Sequence, residues 1–205
     1  MKYLISFVMG LAFSVSMAFA QEVLPPDALV KKVTEDVLTA VRGDKDIQSG
    51  DTRKAIELVR TKAAPHFNFR RMTALAMGKD WRQASAEQKT KLTAEFEQLL
   101  IRTYSNALTS YKDQTVRYKP FKAREGDTDV VVKTEVLQPG GQPIQLDYAL
   151  EKDADGWKVF DVVVAGVSLV TNYRDTFNQE VRTNGIDGLI KMLADKNKQL
   201  EAGKK

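Results

Sequence analysis

The sequence contains no cysteine. Disulfide scaffolds and thiolate metal sites are excluded, so an apolar core must hold the fold together. It contains a single histidine, His66. With one imidazole and no carboxylates gathered at ligand spacing, no metal site is expected. Enzyme signatures are missing as well: no phosphate-cradling Gly-rich loop, no dinucleotide fingerprint and no Gly-x-Ser-x-Gly elbow. No cofactor is expected. Beyond residue 20 no apolar run approaches the ~18 residues of a membrane span. A charge excess of one sign is also missing. Lys and Arg number 31 against 27 Asp and Glu, for a net +4. One of these charges is Lys2 and three belong to the stretch from Lys191 to Lys205, so residues 21 to 190 are neutral overall. Nucleic acid requires a clustered basic face, and no such partner is expected. The basic end reads as a solvated helical tail, with attraction to anionic lipid headgroups as the sharper alternative.

What is present begins with a leader. Lys2, the apolar run Leu4 to Val15 and the small residues of Ala18-Phe19-Ala20 have the form of a secretory signal peptide over residues 1–20. Cleavage would leave residues 21–205, a length that suits one domain. An exported chain without disulfides fits a periplasm. The hydrophobic fraction of 43% and charged fraction of 28% are those of an ordinary globular protein, not a disordered one.

The hydrophobic period is helical first, then stranded, then helical again. Pro25-Pro26-Asp27 opens a first helix, with Asp27 in N-cap position and Leu29, Val30, Val33, Val37, Leu38 and Val41 at helical spacing. A second helix is expected over Thr52 to Ala64, closed by Pro65, and a short third over Arg70 to Met77, ended by Gly78. Ser85 and Gln88 form a capping box that opens the longest helix, expected over Ala86 to Lys112. Strands are expected over Thr115–Phe121, Asp129–Leu137, Ile144–Lys152 and Trp157–Val164. The short links, among them Asp153-Ala154-Asp155-Gly156, make the sheet antiparallel. Helical spacing returns from Ser168 to Arg182, breaks at Asn184-Gly185, and resumes at Ile186. The fold class is therefore α+β: a curved antiparallel sheet of about four strands packed against a long helix, with helices from both chain ends around it.

Chemistry is scarce. His66, between Pro65 and Phe67, lacks an advertised partner and reads as structural or surface. Asp161, among Phe160, Val162 and Val163, could be a tuned base in a conical pocket, could face solvent, or could pair with an arginine. The apolar stripes of the sheet and long helix are, on composition alone, a filled core more readily than a lined pocket.

Three segments carry a resemblance. Trp157-Lys158-Val159-Phe160-Asp161-Val162-Val163-Val164-Ala165-Gly166-Val167-Ser168 leads into Asn172-Tyr173-Arg174 and Phe177. Pro65-His66-Phe67-Asn68-Phe69 precedes Met72, Ala76, Gly78 and Trp81-Arg82. Glu87-Gln88 precedes Phe96, Leu99-Leu100 and Tyr104. In this order and spacing the chain resembles the MlaC family of periplasmic phospholipid-binding proteins, also called toluene-tolerance auxiliary proteins, from about Asp27 to Leu193. It departs from the family at Asn68, commonly Asp, at Phe160, commonly Tyr, and at Ala165, commonly Glu.

The resemblance implies a non-enzymatic, monomeric periplasmic carrier of glycerophospholipid between outer and inner membranes, which maintains outer-membrane lipid asymmetry. Its implied partners are an inner-membrane ABC transporter complex with an MCE-domain subunit and an outer-membrane lipoprotein–porin complex. Residues 21–205 would form a single lipid-binding domain with a basic helical tail. The expected pocket lining is Phe96, Leu100, Tyr104 and Leu108 from the long helix, and Val130, Val132, Val136, Ile144, Leu146, Tyr148, Leu150, Val162, Val164 and Val167 from the sheet side. Arg174 is a possible headgroup contact at the rim, although a salt bridge with Asp161 or another carboxylate is the favoured reading. The rivals are a pocket enzyme using Asp161 as base, and a carrier or chaperone for another apolar ligand.

Overall fold

The computed structural model describes residues 23–203. The leader expected over residues 1–20 lies outside the described residues. The first helix, α1 (Pro26–Gly43), starts two residues earlier than the N-cap reading of Asp27 requires. Pro25 holds the cap position and Asp27 sits inside the first turn, where its charge meets the positive helix end. The polar stretch that follows hides a short helix, α2 (Lys45–Gln48). Asp44 caps it by accepting from the backbone N–H groups of Asp46 and Ile47, and the buried Ile47 anchors it. Asp51 caps α3 (Thr52–Leu58) in the same way. The chain then widens into a π-helical turn (Val59–Ala63) and a 3-10 turn (Ala64–His66) before Pro65 and Phe67 release it into extended backbone.

Asn68 begins α4 (Phe69–Met77) with its side-chain oxygen on the Arg71 N–H. Its amide donates to Glu151 at 2.7 Å, a bond that an ionised Asp at this position could not make. Gly78 ends α4 at φ 59°, a backbone that glycine adopts without a Cβ penalty. The capping box of Ser85 and Gln88 is formed at both hydrogen bonds, 3.0 and 3.1 Å.

The helix it opens, α5 (Ala86–Tyr104), stops eight residues short of the expected Lys112. Ser105 is buried at the break, and α6 (Asn106–Thr109) turns Leu108 and Tyr111 toward a cluster built on Val37, Val41, Ile47 and Ala55. The strands are β1 (Thr115–Tyr118), β2 (Asp129–Leu137), β3 (Ile144–Asp153), β4 (Gly156–Val164) and β5 (Val167–Ser168). They form one antiparallel meander in the order β1-β2-β3-β4-β5. β1 ends at Tyr118, short of the expected Phe121. Pro120 follows closely and has no N–H to donate to a ladder. α7 (Leu169–Asn172) and α8 (Arg174–Ala202) complete the chain. As the sequence indicates, α8 is interrupted at Gly185, whose φ of 71° and ψ of −176° are not helical.

Register fixes which residues share a face. Val130, Val132, Thr134 and Val136 lie opposite Leu150, Tyr148, Leu146 and Ile144. Tyr148 and Leu146 lie in turn opposite Val162 and Val164. A β-bulge interrupts β4: Ala149 pairs with Asp161 while Leu150 pairs with Val159, leaving Phe160 as the extra residue. The inner face therefore continues through Val159 and Trp157, while Phe160 turns outward. There Phe160 joins the helical core and lies under the Arg71 guanidinium, 3.6 Å from ring centroid to Cζ. Arg71 is also paired with Asp129 and Glu151.

The helix that crosses the sheet is α1, not α5. Leu29 and Val30 pack with Val132, Leu150, Val159 and Val162 in a core that belongs to the inner face. Phe96, Leu99 and Leu100 of α5 pack instead with α4, α7 and α8. Phe96 meets Tyr173 and Phe177 edge-on, both with centroids 5.0 Å away, so this second core is closed and filled.

Candidate functional site

Between α1 and the inner face of the sheet lies a cavity of about 670 Å³. That is within the ~300–1,000 Å³ range of ligand sites. One stripe of α1 forms its roof, from Leu29 through Val30, Val33, Thr34 and Val37 to Leu38. The spacing of one and four residues puts all of these on a single helical face. The floor is Val136, Ile144, Leu146, Tyr148 and Val159, with Val116 at the β1 edge. One side wall is Ala63, His66 and Phe67; the other is Leu108 and Tyr111 with their neighbours. Polar groups are few and peripheral. Ser110, Gln114 and Gln138 stand together toward the α6 end.

The polar side chains in the wall are arranged to stay uncharged. Burial pushes the Tyr148 phenol up to about 12, an effect that a hydrogen bond with the Thr34 hydroxyl opposes. Tyr148 is thus a neutral phenol at any ordinary pH. Burial holds the His66 imidazole below its usual value, Lys158 and Lys32 push in the same direction, and Asp36 opposes them. At neutral pH His66 is therefore a neutral, mostly flat contact surface. Thr134 is fully buried on the inner face and gives its hydroxyl proton to the Leu146 carbonyl at 2.7 Å, so it offers no free polar group. A space walled in this way can shelter a hydrocarbon.

Five of the residues expected to line a pocket are gathered in this wall: Leu108, Val136, Ile144, Leu146 and Tyr148. Val130, Val132, Leu150, Val162 and Val164 share their face of the sheet but lie where Leu29, Val30, Trp157 and Phe121 fill the space. Phe96 and Leu100 are in the other core, and Tyr104 is 38% exposed near the end of α5. Val167 is 56% exposed just after the turn between β4 and β5. The α1 stripe, the His66 wall and Tyr111 were not anticipated. The periodicity of α1 was visible, but an amphipathic stripe shows that a face is covered and not which layer covers it. His66, expected to be structural or at the surface, stands in the cavity wall.

Asp161 and Arg174 also differ from expectation. Asp161 points away from the cavity, and donors surround its carboxylate: the Ser168 hydroxyl at 2.5 Å and the N–H groups of Val162 and Val170 at 2.8 and 3.2 Å. It fastens β4 to the start of α7 and has no access to the cavity. Arg174 does not pair with it. The Arg174 guanidinium donates from Nε and Nη2 to the Leu75 carbonyl, at 3.3 and 3.0 Å, because α8 starts beside the end of α4. It does not line the cavity. Among the described residues no group of three or more acidic, histidine or cysteine side chains could hold a metal, and no helix is long and apolar enough to cross a membrane.

Comparison with known proteins agrees with this geometry. A family model described as MlaC protein matches residues 31–195. The chain is 25% identical over 168 residues to the intermembrane phospholipid transport system binding protein MlaC of Haemophilus influenzae, covering 80% of this chain and 78% of that one. It is 32% identical over 106 residues to toluene tolerance protein ttg2D of Pseudomonas putida, about half of each chain. Among solved structures it is similar to a phospholipid-binding protein from Ralstonia solanacearum in complex with a phospholipid. The TM-score is 0.80 and the identity 41%, over 87% of this chain and 99% of that one.

Proposed function

The chain belongs to the MlaC family, and from that membership we propose that it is a carrier that holds glycerophospholipid acyl chains in the cavity beneath α1. The observation that carries this reading is the aliphatic cavity itself, in a fold shared with a relative solved around a phospholipid. A two-chain lipid has roughly thirty methylenes. Exposing them at ~0.8 kcal/mol each costs on the order of 25 kcal/mol. That exceeds the practical ceiling of non-covalent affinity. The tails must therefore stay covered at every step, and a carrier need only match the burial that a membrane provides. Transfer is then nearly balanced, and its direction is set by the partners.

The finer reading follows from the resemblance to the family and is consistent with the name of a relative, an intermembrane phospholipid transport system binding protein. In it the chain works in the periplasm as a single domain over residues 21–205. It moves lipid between an outer-membrane lipoprotein–porin complex and an inner-membrane ABC transporter with an MCE-domain subunit, and so maintains outer-membrane lipid asymmetry. In this reading the carrier is a monomer. No catalysis is assigned to it. The saturated carboxylate of Asp161, turned away from the cavity, speaks against the enzyme alternative.

The test is extraction of natively purified protein with organic solvent, followed by mass spectrometry. Two-chain glycerophospholipid at near one molecule per chain is expected. A sterol-like or isoprenoid lipid in its place would move the reading to the other carrier class. An empty protein that turns over a small substrate would replace it altogether.

A further inference from the structure

At the α6 end the apolar cavity shares Tyr111 and Gln114 with a second hollow of about 710 Å³, whose other walls are Arg42, Gln48, Lys112, Asp113 and Thr115. The character changes across that shared wall, from aliphatic to polar. Arg42, in the last turn of α1, donates from Nε and Nη2 to the Tyr111 hydroxyl oxygen at 3.0 and 2.8 Å. It also stands over the Tyr111 ring, 5.6 Å from the centroid. The Tyr111 hydroxyl in turn donates to the Gln114 carbonyl at 2.8 Å. Among the described residues no carboxylate lies within 4.0 Å of the Arg42 or Lys112 charge. Arg42 is thus oriented by neutral partners and is not neutralised. Of the five N–H donors on its guanidinium, two are used and three remain.

We propose that this hollow receives the phosphodiester of the carried lipid, with Arg42 as the principal contact and Lys112 as a second charge. The proposal rests on the reading that the chain carries a phospholipid. A molecule with its tails along α1 and its glycerol at Tyr111 and Gln114 would present its phosphate to Arg42. The polar boundary of the ligand then coincides with the polar boundary of the site. A planar guanidinium with free donors suits a phosphate in geometry as well as charge. The opposite wall is less suited. There Lys158 is engaged by the Pro65 carbonyl and Lys32 by Asp36, while His66 is neutral.

The experiment compares phosphatidylglycerol with diacylglycerol of the same chains. Each is offered in detergent to delipidated protein, and retention is measured by mass spectrometry. Wild type should favour phosphatidylglycerol, and Arg42→Gln should reduce that preference roughly tenfold, as expected for loss of a charge-assisted hydrogen bond. Diacylglycerol retention should fall far less than phosphatidylglycerol retention, since Arg42 touches the tails only through Tyr111, and Arg42→Lys should recover part of the loss. If Arg42→Gln and Lys112→Gln both fold and keep the full preference, the proposal is overturned. Should Arg42→Gln fail to fold, wild type still decides: the preference must weaken from low salt to ~1 M salt, and a salt-independent preference overturns the proposal. Inorganic phosphate is the third arm. If it shifts the Arg42 Nε–H resonance at concentrations equal to the lipid, the hollow is a free-anion site and the assignment to lipid is wrong. If wild type retains neither lipid, the carrier reading itself fails and takes this proposal with it.

Discussion

The Asp161 carboxylate accepts the Ser168 hydroxyl at 2.5 Å across the tight turn that joins β4 to β5. The turn is strained at Ala165, which takes φ 49°, while Gly166 takes φ 85° without a Cβ penalty. Ser168 also caps α7 by accepting from the Thr171 N–H at 3.0 Å. One carboxylate thus links the end of the sheet, the turn and the first residues of the closing helices. Alternation with the inward Val162 and Val164 puts Asp161 on the outer face, beside α7, instead of over the cavity.

Asp161→Ala should therefore act on stability and not on ligand. It leaves the Ser168 hydroxyl and the Val170 N–H without their acceptor, for a loss on the order of 2 kcal/mol. Urea denaturation should show the lower midpoint, and lipid content per folded molecule should stay at the wild-type level. Lipid lost out of proportion to the folded fraction would mean that the clamp also shapes the cavity.

His66 makes stability depend on pH in a definite direction. Its folded-state pKa is lowered from 6.5, chiefly by burial and then by Lys158 and Lys32, with Asp36 opposing. Above pH 6.5 the imidazole is neutral in both the folded and the unfolded chain, and it adds no penalty. As pH falls from 6.5 through the lowered folded value, the unfolded chain takes up the proton first, and stability is lost. Thermal melts of wild type should fall between pH 7.5 and 5, and part of that fall should disappear in His66→Gln. An identical fall in the variant would place the pH dependence elsewhere.

How much of this was legible depends on the kind of signal. The Ser85–Gln88 box, the Gly78 stop, the break at Gly185 and the hairpin before Gly156 are local chemistry, and each stands where the sequence put it. The alternation of Ile144, Leu146, Tyr148 and Leu150 correctly gave one face of β3. What alternation could not give was where along that face the space is filled. Leu150 meets Leu29, Val30 and Val159, whereas Leu146, four residues away, borders the cavity. The pairing of layers was equally hidden. α1 and α5 carry similar apolar stripes, and only long-range packing sends Phe96 to Phe177 and Val33 to the sheet. The bulge that turns Phe160 outward has no signature in an uninterrupted strand pattern.

The division into a filled helical core and a hollow sheet layer predicts a contrast at Phe96. This side chain is fully buried between Tyr173 and Phe177. Phe96→Ala should cost ~3–5 kcal/mol, because the aromatic cluster cannot collapse around the gap. The lipid complement of whatever fraction folds should be that of wild type. Calorimetry and lipid extraction on one preparation read both. A variant that melts normally but emerges without lipid would put Phe96 in the binding site after all.

Leu146 and Leu150 test the cavity most directly, because they are four residues apart on the same face of one strand. Leu150 is 0% exposed within the packed core, and an aspartate there would be an unpaired buried charge. Such a group costs more than a domain of this size can spare, so Leu150→Asp should not accumulate as folded protein. Leu146 borders open space, and in the empty protein water can hydrate a carboxylate at that position. Leu146→Asp should fold with reduced stability. It should also lose its lipid, since an acyl chain would have to dehydrate the new charge in order to enter. Circular dichroism separates the two variants by folding, and mass spectrometry of the solvent extract reads the lipid. A folded Leu146→Asp carrying the wild-type lipid load would show that the acyl chains run elsewhere than between α1 and β3.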